Sequence, residues 1–178
     1  GQFLTVTVLI DGKKVKRSYT IASSPSQRDY IEITVKREGK GMVSRHLHDH
    51  LQIGDSLEIA GPAGKFTFTG SEDESVVLIA GGVGVTPMMS VLRYLTAHCW
   101  KKEIYFIFGV RTPEDIIFRE ELAYLEKRHA NLRVWITVSQ PESTNWEGPT
   151  GRLSAESLNE AVPNIQQRLI HICGPGPM

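Results

Sequence analysis

The stretch from Val76 to Ser90 constrains the fold more than any other part of the sequence. It opens with the apolar run Val76–Ala80, continues through a glycine-rich turn, and reaches Thr86 and Pro87 before a second apolar run. A short apolar run that is rich in β-branched residues is typical of a central parallel strand covered on both faces. Glycines permit a sharp turn, and Thr86 followed by Pro87 predicts the N-cap and first position of a helix. The stretch therefore predicts a strand, a turn and a helix of an α/β fold.

The turn in this stretch is a candidate phosphate-binding site. The free amides and the positive dipole end of a helix N-terminus attract anions. The glycine spacing departs from the dinucleotide-binding fingerprint, because Pro87 stands where a third glycine is expected. Taken alone, the stretch is equally compatible with a phosphate site and with a tight turn that has only a structural role.

Charge and hydropathy exclude several classes of protein. The chain has 178 residues, with 20 basic and 20 acidic side chains, so no overall positive field favours nucleic acid. No apolar stretch approaches the roughly 20 residues that span a bilayer, so no membrane insertion is predicted. Cys99 and Cys173 lie far apart in the sequence, which favours reduced thiols in a cytoplasmic protein over a disulfide framework. Neither belongs to a C-x-x-C pair, so no iron–sulfur or zinc site is expected.

No metal site is predicted. His46, His48 and His50 lie close together in the sequence, but no cysteine is near them. On a helix His46 and His50 share a face from which His48 points away. We interpret the three histidines as a solvent-facing cluster.

The two halves of the sequence have different patterns. The first half has short alternating segments with one inserted helix over Val43–Leu51, which predicts a small antiparallel β-barrel. Its predicted strands are Phe3–Ile10, Val15–Ala22, Tyr30–Lys36, Ser56–Ala60 and Lys65–Phe68. After the acidic segment 71–74, strands alternate with helices, which predicts a parallel sheet with right-handed crossovers. Its predicted strands are Val76–Ala80, Ile104–Phe108, Leu132–Val138 and Arg168–Cys173, and its helices are Pro87–His98, Phe118–His129 and Ser154–Ala161. We predict two domains, residues 1–70 and 75–178.

Ligands of a parallel α/β sheet bind at the carboxyl ends of its strands. Those ends are predicted at Gly81–Thr86, Gly109–Arg111, Ser139–Gln140 and Cys173–Gly176. Most of them are rich in glycine or carry a side chain that can bind phosphate, which favours a dinucleotide site. For Cys173, a role as a buried core thiol remains the alternative.

In the barrel, Arg17–Thr20 is the most informative stretch. Strand alternation places Arg17 and Tyr19 on one face and Ser18 and Thr20 on the other. An arginine beside an exposed tyrosine can pair with phosphate while the ring packs on a flat ligand. An edge strand with a solvated arginine is the alternative. The turn Gly39–Ser44 offers a second phosphate position, or is a simple helix entry.

These motifs, in this order and over the whole chain, resemble those of the ferredoxin–NADP reductase superfamily. In that family a flavin-binding barrel precedes a nicotinamide-binding α/β domain. Arg17–Thr20 resembles the Arg-x-Tyr-Ser/Thr flavin motif, and Gly41–Ser44 resembles the flavin pyrophosphate turn. Gly82–Pro87 resembles the nicotinamide-nucleotide loop, in which the family has a proline at the position of Pro87. Cys173–Met178 resembles the family's Cys-Gly-Pro-x-x-Met end.

The resemblance implies roles for individual residues. Tyr19 stacks on the flavin ring, Arg17 pairs with the flavin phosphate, and Thr20 lies near the reactive flavin nitrogen. Thr86 lies where flavin and nicotinamide meet, and Cys173 flanks the nicotinamide ring. The implied catalytic residues are Tyr19, Thr20, Thr86 and Cys173. The implied cofactor-binding residues are Arg17, Ser18, Tyr19, Thr20, Val35, Lys36, Gly41, Met42, Val43, Ser44, Gly82, Val83, Gly84, Thr86, Pro87, Gly109, Arg111, Ser139, Cys173, Gly174, Pro175 and Met178.

The resemblance also implies a reaction. We expect an NAD(P)H-dependent flavoprotein reductase that passes electrons to a one-electron acceptor such as a 2Fe–2S ferredoxin, free or fused, or an oxygenase. The segment Pro62–Phe66 resembles FAD-binding members, which favours FAD over FMN. The segment Ser139–Glu142 has no positive charge, which favours NADH over NADPH, although Arg111 and Arg152 could still reach a phosphate.

The family's last helix and strand, and the strand before the position of Gly1, have no counterpart here, so we interpret the sequence as part of a longer protein. We expect a monomer or weak oligomer. Two alternatives stay open: a reductase of free flavin or quinone, and a non-catalytic module that senses a nucleotide.

Overall fold

The computed structural model describes residues 1–68, 70, 74–141 and 146–176, which form two sheets. A three-stranded antiparallel sheet has the order β2-β1-β3; its strands are β1 (Phe3–Ile10), β2 (Lys13–Thr20) and β3 (Glu58–Ala63). A four-stranded parallel sheet has the order β6-β5-β4-β7; its strands are β4 (Ser75–Gly81), β5 (Glu103–Val110), β6 (Leu132–Val138) and β7 (Leu169–Cys173). The helices are α1 (Met42–Asp49), α2 (Val85–Ala97), α3 (Arg119–Arg128) and α4 (Ala155–Ala161). The predicted class, an antiparallel β part followed by a parallel α/β part, is confirmed. Residues 71–73 of the predicted acidic linker lie outside the described residues.

The first half is built on the β1–β2 hairpin. Asp11 and Gly12 at its tip both have positive φ, 49° and 72°, as a two-residue turn between twisted strands requires. On one face of the hairpin, the buried Val6 and Val8 pack with Val43 of α1. The short helix and the hairpin therefore enclose a small core of their own.

Two of the predicted barrel strands, Tyr30–Lys36 and Lys65–Phe68, do not form regular strands in the structure, so these two predictions are wrong. Residues 30–36 contribute an isolated bridge between Ile33 and Ile21. The backbone N–H of Glu32 donates to the Ser23 hydroxyl at 3.1 Å, so a side chain takes the place of a strand partner there. Alternation was present in the sequence, but it does not specify which groups satisfy the backbone.

In the second half, the central strand β4 is buried along its whole length. On one face of the sheet, Leu78 packs in a cluster that includes Phe106 of β5 and Leu92 of α2. On the other face, Ile79 packs in a cluster that includes Ile165, from the turn before β7. Burial on both faces explains why β4 and β5 read as continuous apolar runs rather than alternating ones.

The turn after β4 differs from the prediction that Thr86 is a helix N-cap. The chain makes a 3₁₀ turn over Gly82–Gly84, and α2 begins at Val85 with Gly84 as its N-cap. Thr86 lies inside the helix, where its hydroxyl donates to the Val83 carbonyl at 3.0 Å. Gly82 has a φ of +51°, in the left-handed region that favours glycine, so the chain turns sharply there before the helix begins.

Arg93 of α2 connects the two halves. It is 17% exposed, and it donates to the Ala22 carbonyl at 2.8 Å and to Glu32 at 2.7 Å, both in the first half. Its Nε and Nη2 donate to the two oxygens of Glu121 in α3, each at 2.7 Å. The hydrogen bonds with Glu121 make the largest contribution to raising the pKa of Arg93, so the guanidinium stays charged.

Among the described residues, no helix has the length and apolar character needed to cross a bilayer.

We expect Phe106→Ala to destabilise the protein by about 3–5 kcal/mol, because it empties a fully buried site at the centre of the parallel sheet. Leu9→Ala, at a side chain that is 63% exposed, is the control and should cost less than about 0.5 kcal/mol. Urea unfolding followed by circular dichroism measures both. Equal midpoints for the two variants would contradict this account of the core.

Candidate functional site

Two adjacent cavities open between the halves of the molecule. The first, here called the barrel cavity, has a volume of about 600 Å³ and lies between the β2 end and the turn after β4. The second, here called the sheet cavity, has about 620 Å³ and lies at the carboxyl ends of the parallel strands. Both are lined by the same six residues, Thr34, Lys36, Gly81, Gly82, Val83 and Pro175. The two cavities therefore share a wall, and ligands bound in them would meet there.

The barrel cavity collects four of the motifs that the sequence singled out. They are the end of β2, the start of α1, the turn after β4 and the segment after β7. The predicted site residues that line it are Arg17, Ser18, Tyr19, Thr20, Lys36, Gly41, Met42, Val43, Ser44, Gly82, Val83, Gly84, Thr86, Cys173, Gly174 and Pro175. Segments that are distant in the sequence thus form one concave surface.

The end of β2 supplies an aromatic ring and a cation to this surface. Tyr19 is half-buried and packs against the core that contains Val6 and Val8. Burial raises the pKa of its phenol, with Arg17 acting in the opposite direction, so the ring is neutral at pH 7. Arg17 is exposed, and its Nη1 donates to the Lys16 carbonyl at 2.7 Å. A flat neutral ring therefore lies beside a positive charge.

The turn before α1 is closed by Ser44. Its hydroxyl accepts from the Glu38 N–H at 3.2 Å and donates to the Gly41 carbonyl at 3.3 Å. A Cβ on Gly41 would collide with this hydroxyl, so the turn needs glycine. Gly41 is the N-cap of α1, and no side chain caps the helix there. Since first-turn amides lack partners within a helix, they are available to an anion.

The sheet cavity lies where β5 and β6 end. The predicted site residues that line it are Val35, Lys36, Gly82, Val83, Gly109, Arg111, Ser139 and Pro175. The Arg111 guanidinium donates to the Gln140 side chain at 3.0 Å, and the Gln140 N–H donates to the Arg111 carbonyl at 2.7 Å. The rim of the sheet cavity also carries Glu114, whose pKa is lowered chiefly by a hydrogen bond from Thr112. The rim is therefore mixed in charge.

Cys173 borders the barrel cavity at the end of β7. Burial raises the pKa of its thiol, so it is uncharged at neutral pH. A Cβ on Gly84 would overlap the Cys173 carbonyl group, so the turn after β4 can approach β7 this closely only with glycine at that position. Both cysteines are free, and Cys99 is exposed.

Some predicted residues lie elsewhere, and some lining residues were not predicted. Pro87 is buried in the first turn of α2 and lines neither cavity, and Met178 and Glu142 lie outside the described residues. The lining residues that sequence reasoning did not assign to the site are Thr34, Glu38, Glu114, Asp115, Ile117, Gly151 and Leu153. A signal existed for the 3₁₀ turn Pro113–Asp115, because Thr112 and Asp115 form a capping box around Pro113.

None of the three clustered histidines lines either cavity. The rings of His46 and His50 are 5.3 Å apart, and His48 Nε2 lies 2.7 Å from the Val35 carbonyl oxygen. His48 and His50 are exposed, and His46 is partly buried. Within the described ranges, no three histidine, cysteine, aspartate or glutamate side chains come together as a possible metal site.

Comparisons with known proteins match both halves. Residues 1–68 match the family model of the oxidoreductase FAD-binding domain, and residues 78–178 match that of the oxidoreductase NAD-binding domain. The chain is 40% identical to the glycine betaine monooxygenase reductase subunit of Chromohalobacter salexigens, over 99% of this chain and 49% of that protein. It is 34% identical to NADH-cytochrome b5 reductase 1 of Dictyostelium discoideum, over 100% of this chain and 62% of that protein. The chain thus spans about half to two thirds of these relatives.

Solved structures agree with this assignment. The FAD/NAD-binding domain of a nitric oxide dioxygenase from Vibrio cholerae superposes with a TM-score of 0.86 at 27% identity, covering 98% of this chain and 73% of that one. A cytochrome P450 reductase from Amycolatopsis has a TM-score of 0.86 at 26% identity, covering 99% of this chain and 53% of that one. The chain therefore belongs to the ferredoxin–NADP reductase superfamily and carries its FAD-binding and NAD-binding parts in that order.

Proposed function

We propose that this chain is the flavin- and nicotinamide-binding part of a reductase that takes electrons from NADH and delivers them to a one-electron acceptor. The observation that carries the proposal is the wall common to the barrel cavity and the sheet cavity. Hydride transfer requires the donor carbon and the acceptor nitrogen to come nearly into contact, and two ligands that meet at one wall satisfy this requirement.

The barrel cavity has the residues that FAD needs. Tyr19 offers a neutral aromatic face to the flavin ring, and Arg17 offers a cation to a phosphate. The uncapped first turn of α1, behind Gly41, offers amides to the pyrophosphate. Thr20 and Ser18 add hydroxyl groups at the end of β2. The volume of about 600 Å³ falls within the range of cofactor pockets.

The sheet cavity has the residues that a nicotinamide nucleotide needs. Gly82 leaves the backbone after β4 open to a ligand, since an added Cβ there would meet no other group, and Ser139 and Arg111 offer polar groups to the ribose and phosphate. Thr86 and Cys173 lie on the barrel-cavity side of the shared wall, where the nicotinamide ring would face the flavin. Because its thiol is neutral, Cys173 packs against the ring without placing a negative charge there.

When bound, the two cofactors supply the redox chemistry: the reduced nicotinamide gives a hydride to the flavin, which releases the two electrons singly. The protein's own residues would orient the two cofactors and enclose them. Gly84 allows the turn after β4 to lie against Cys173, which brings Thr86 and Cys173 to one surface. Tyr19 and Arg17 hold the opposite side of that surface.

For the acceptor, we propose an oxygenase component or an iron–sulfur protein such as ferredoxin, free or fused to this chain. Support comes from the relatives named as reductase subunits of glycine betaine monooxygenase, and from a similar structure described as the ferredoxin reductase in carbazole 1,9a-dioxygenase.

We also propose two domains over residues 1–70 and 75–178, a monomer or weak oligomer, and a cytoplasmic location. The exposed free thiol of Cys99 supports that location.

The purified full-length protein should bind FAD, with visible flavin absorbance, and NADH should bleach that absorbance in the absence of oxygen. The shared wall predicts this because it lets the two rings meet. A protein that binds no flavin contradicts the proposal. A protein that binds flavin and NADH without bleaching is a binding module and not a reductase.

We expect NADH to reduce the flavin with a kcat/KM about tenfold higher than NADPH. Arg111 and Arg152 line the sheet cavity, but Gln140 accepts from the Arg111 guanidinium and none of Ser139, Gln140 and Pro141 after β6 is cationic, so a 2′-phosphate lacks a positive partner after β6. Gln140→Arg should narrow the preference. Gln166→Arg adds the same charge at an exposed site outside both cavities and is the control. A wild-type protein that prefers NADPH in stopped-flow measurements would refute this prediction.

Tyr19→Ala and Cys173→Ala should affect different halves of the site. Tyr19→Ala should release flavin, because it removes the ring that offers the stacking face, whereas Tyr19→Phe should retain it. Cys173→Ala should keep flavin but slow its reduction by NADH, since the packing beside the nicotinamide is lost. Flavin content after gel filtration and stopped-flow reduction measure the two effects. Equal reduction rates in wild type and Cys173→Ala would remove this residue from the catalytic set.

A further inference from the structure

Helix α2 is attached to the first half of the protein at two successive turns. The Ser90 hydroxyl donates to the Ser23 carbonyl at 2.9 Å. Further along the helix, Arg93 Nη1 donates to the Ala22 carbonyl at 2.8 Å and to Glu32 at 2.7 Å. Three hydrogen bonds, one of them an ion pair, therefore cross from the α/β half to the β half at this helix.

The attachment points lie next to the two sides of the barrel cavity. Thr86, which lines the cavity, precedes Ser90 by one turn of the same helix, an axial distance of about 6 Å. On the other side, Ala22 and Ser23 come directly after the β2 end, where Thr20 lines the cavity. These hydrogen bonds therefore join a segment next to one side of the cavity to a segment next to the other side.

The guanidinium of Arg93 is fixed from both edges. Glu121 of α3 accepts hydrogen bonds from Nε and Nη2, and the Phe118 ring lies 5.0 Å from the guanidinium carbon. The remaining nitrogen, Nη1, points to Ala22 and Glu32. A planar group held in this way has one orientation, which a lysine ammonium on a flexible stem would not have. The hydrogen bonds of Arg93 therefore hold α2 at a defined position relative to the β half.

We propose that Arg93 and Ser90 are positioning residues that set the separation of the flavin and nicotinamide sides of the site, and thereby the rate of hydride transfer from NADH to the flavin. The inference rests on the proposed function. It differs from a purely structural role because a displacement of α2 moves Thr86 relative to the β2 end. Displacements of about 1 Å can lower the rate of such a reaction by up to about 100-fold.

The test compares the hydrogen bonds that cross between the halves with an ion pair inside the α/β half, in the full-length, FAD-loaded protein. Ser90→Ala and Glu32→Gln weaken the crossing hydrogen bonds. Glu103→Gln is the matched control, because it also replaces one carboxylate by an amide on an arginine, Arg168, at 2.8 Å, and this pair does not reach the β half. Anaerobic stopped-flow mixing with NADH gives the limiting reduction rate and the half-saturating NADH concentration, and thermal unfolding gives stability.

We expect Ser90→Ala and Glu32→Gln each to lower the limiting rate by about tenfold, with unchanged flavin content and a half-saturating NADH concentration within about threefold of wild type. Glu103→Gln should leave the limiting rate within about twofold of wild type, because the Arg168 ion pair lies within the α/β half. Ser90→Thr keeps the hydroxyl donor and should restore the rate lost in Ser90→Ala.

Two results would overturn the inference alone: a wild-type limiting rate in both Ser90→Ala and Glu32→Gln, or an equal loss of rate in Glu103→Gln and Glu32→Gln. The second result would mean that the rate follows general stability. A wild-type protein whose bound flavin is not reduced by NADH overturns the proposed function, and this inference with it.

Discussion

The parallel pairing of β4 with β7 is the constraint on which the rest of the site depends. It places Ala80 opposite Cys173, so the turn after β4 emerges beside the end of β7. Gly84 then lies against the Cys173 carbonyl at a distance that no side chain would permit. Because β5 pairs with β4 in the same direction, Gly109 also reaches this edge of the sheet. One pairing pattern thus gathers the strand ends that line the sheet cavity.

The site also needs a surface that faces the strand ends of the parallel sheet. The β half provides this surface, and contacts other than strand pairing attach it to the α/β half. Its sheet shares no ladder with the parallel sheet among the described residues, so hydrogen bonds such as those of Arg93 and Ser90 link the halves. Such bonds are directional and lie partly out of water, which makes them stronger than exposed ion pairs such as Lys14–Glu58. Apolar contact adds to them where Phe68 packs into the core of the α/β half.

Much of this architecture could be predicted from the sequence, and the errors have a common cause. The strand over Leu132–Val138 was predicted at its observed bounds, because its run of strand-forming residues is flanked by Asn131 and by Ser139, residue types that favour turns. The segment Tyr30–Lys36 was predicted as a strand, since alternation reports which side chains are buried and not how the backbone is satisfied. Thr86 was placed at the helix cap because cap preferences ignore a preceding 3₁₀ turn. The motifs indicated most of the lining, but Thr34, Glu114 and Leu153 line it only through tertiary packing, which local patterns do not encode.

The shared wall has a consequence for how the site can evolve and vary. Thr34 and Lys36 come from the β half, whereas Gly82, Val83 and Pro175 come from the α/β half. Neither half contains a complete site, so the contacts between the halves belong to the machinery as much as the motifs do. Under the proposed function, a substitution in the distant part of α2 would change the reaction without touching a ligand, whereas the outer rim of the sheet cavity, near Arg111, would select the nucleotide without disturbing the meeting point. This geometry would then separate the choice of electron donor from the alignment of the two cofactors.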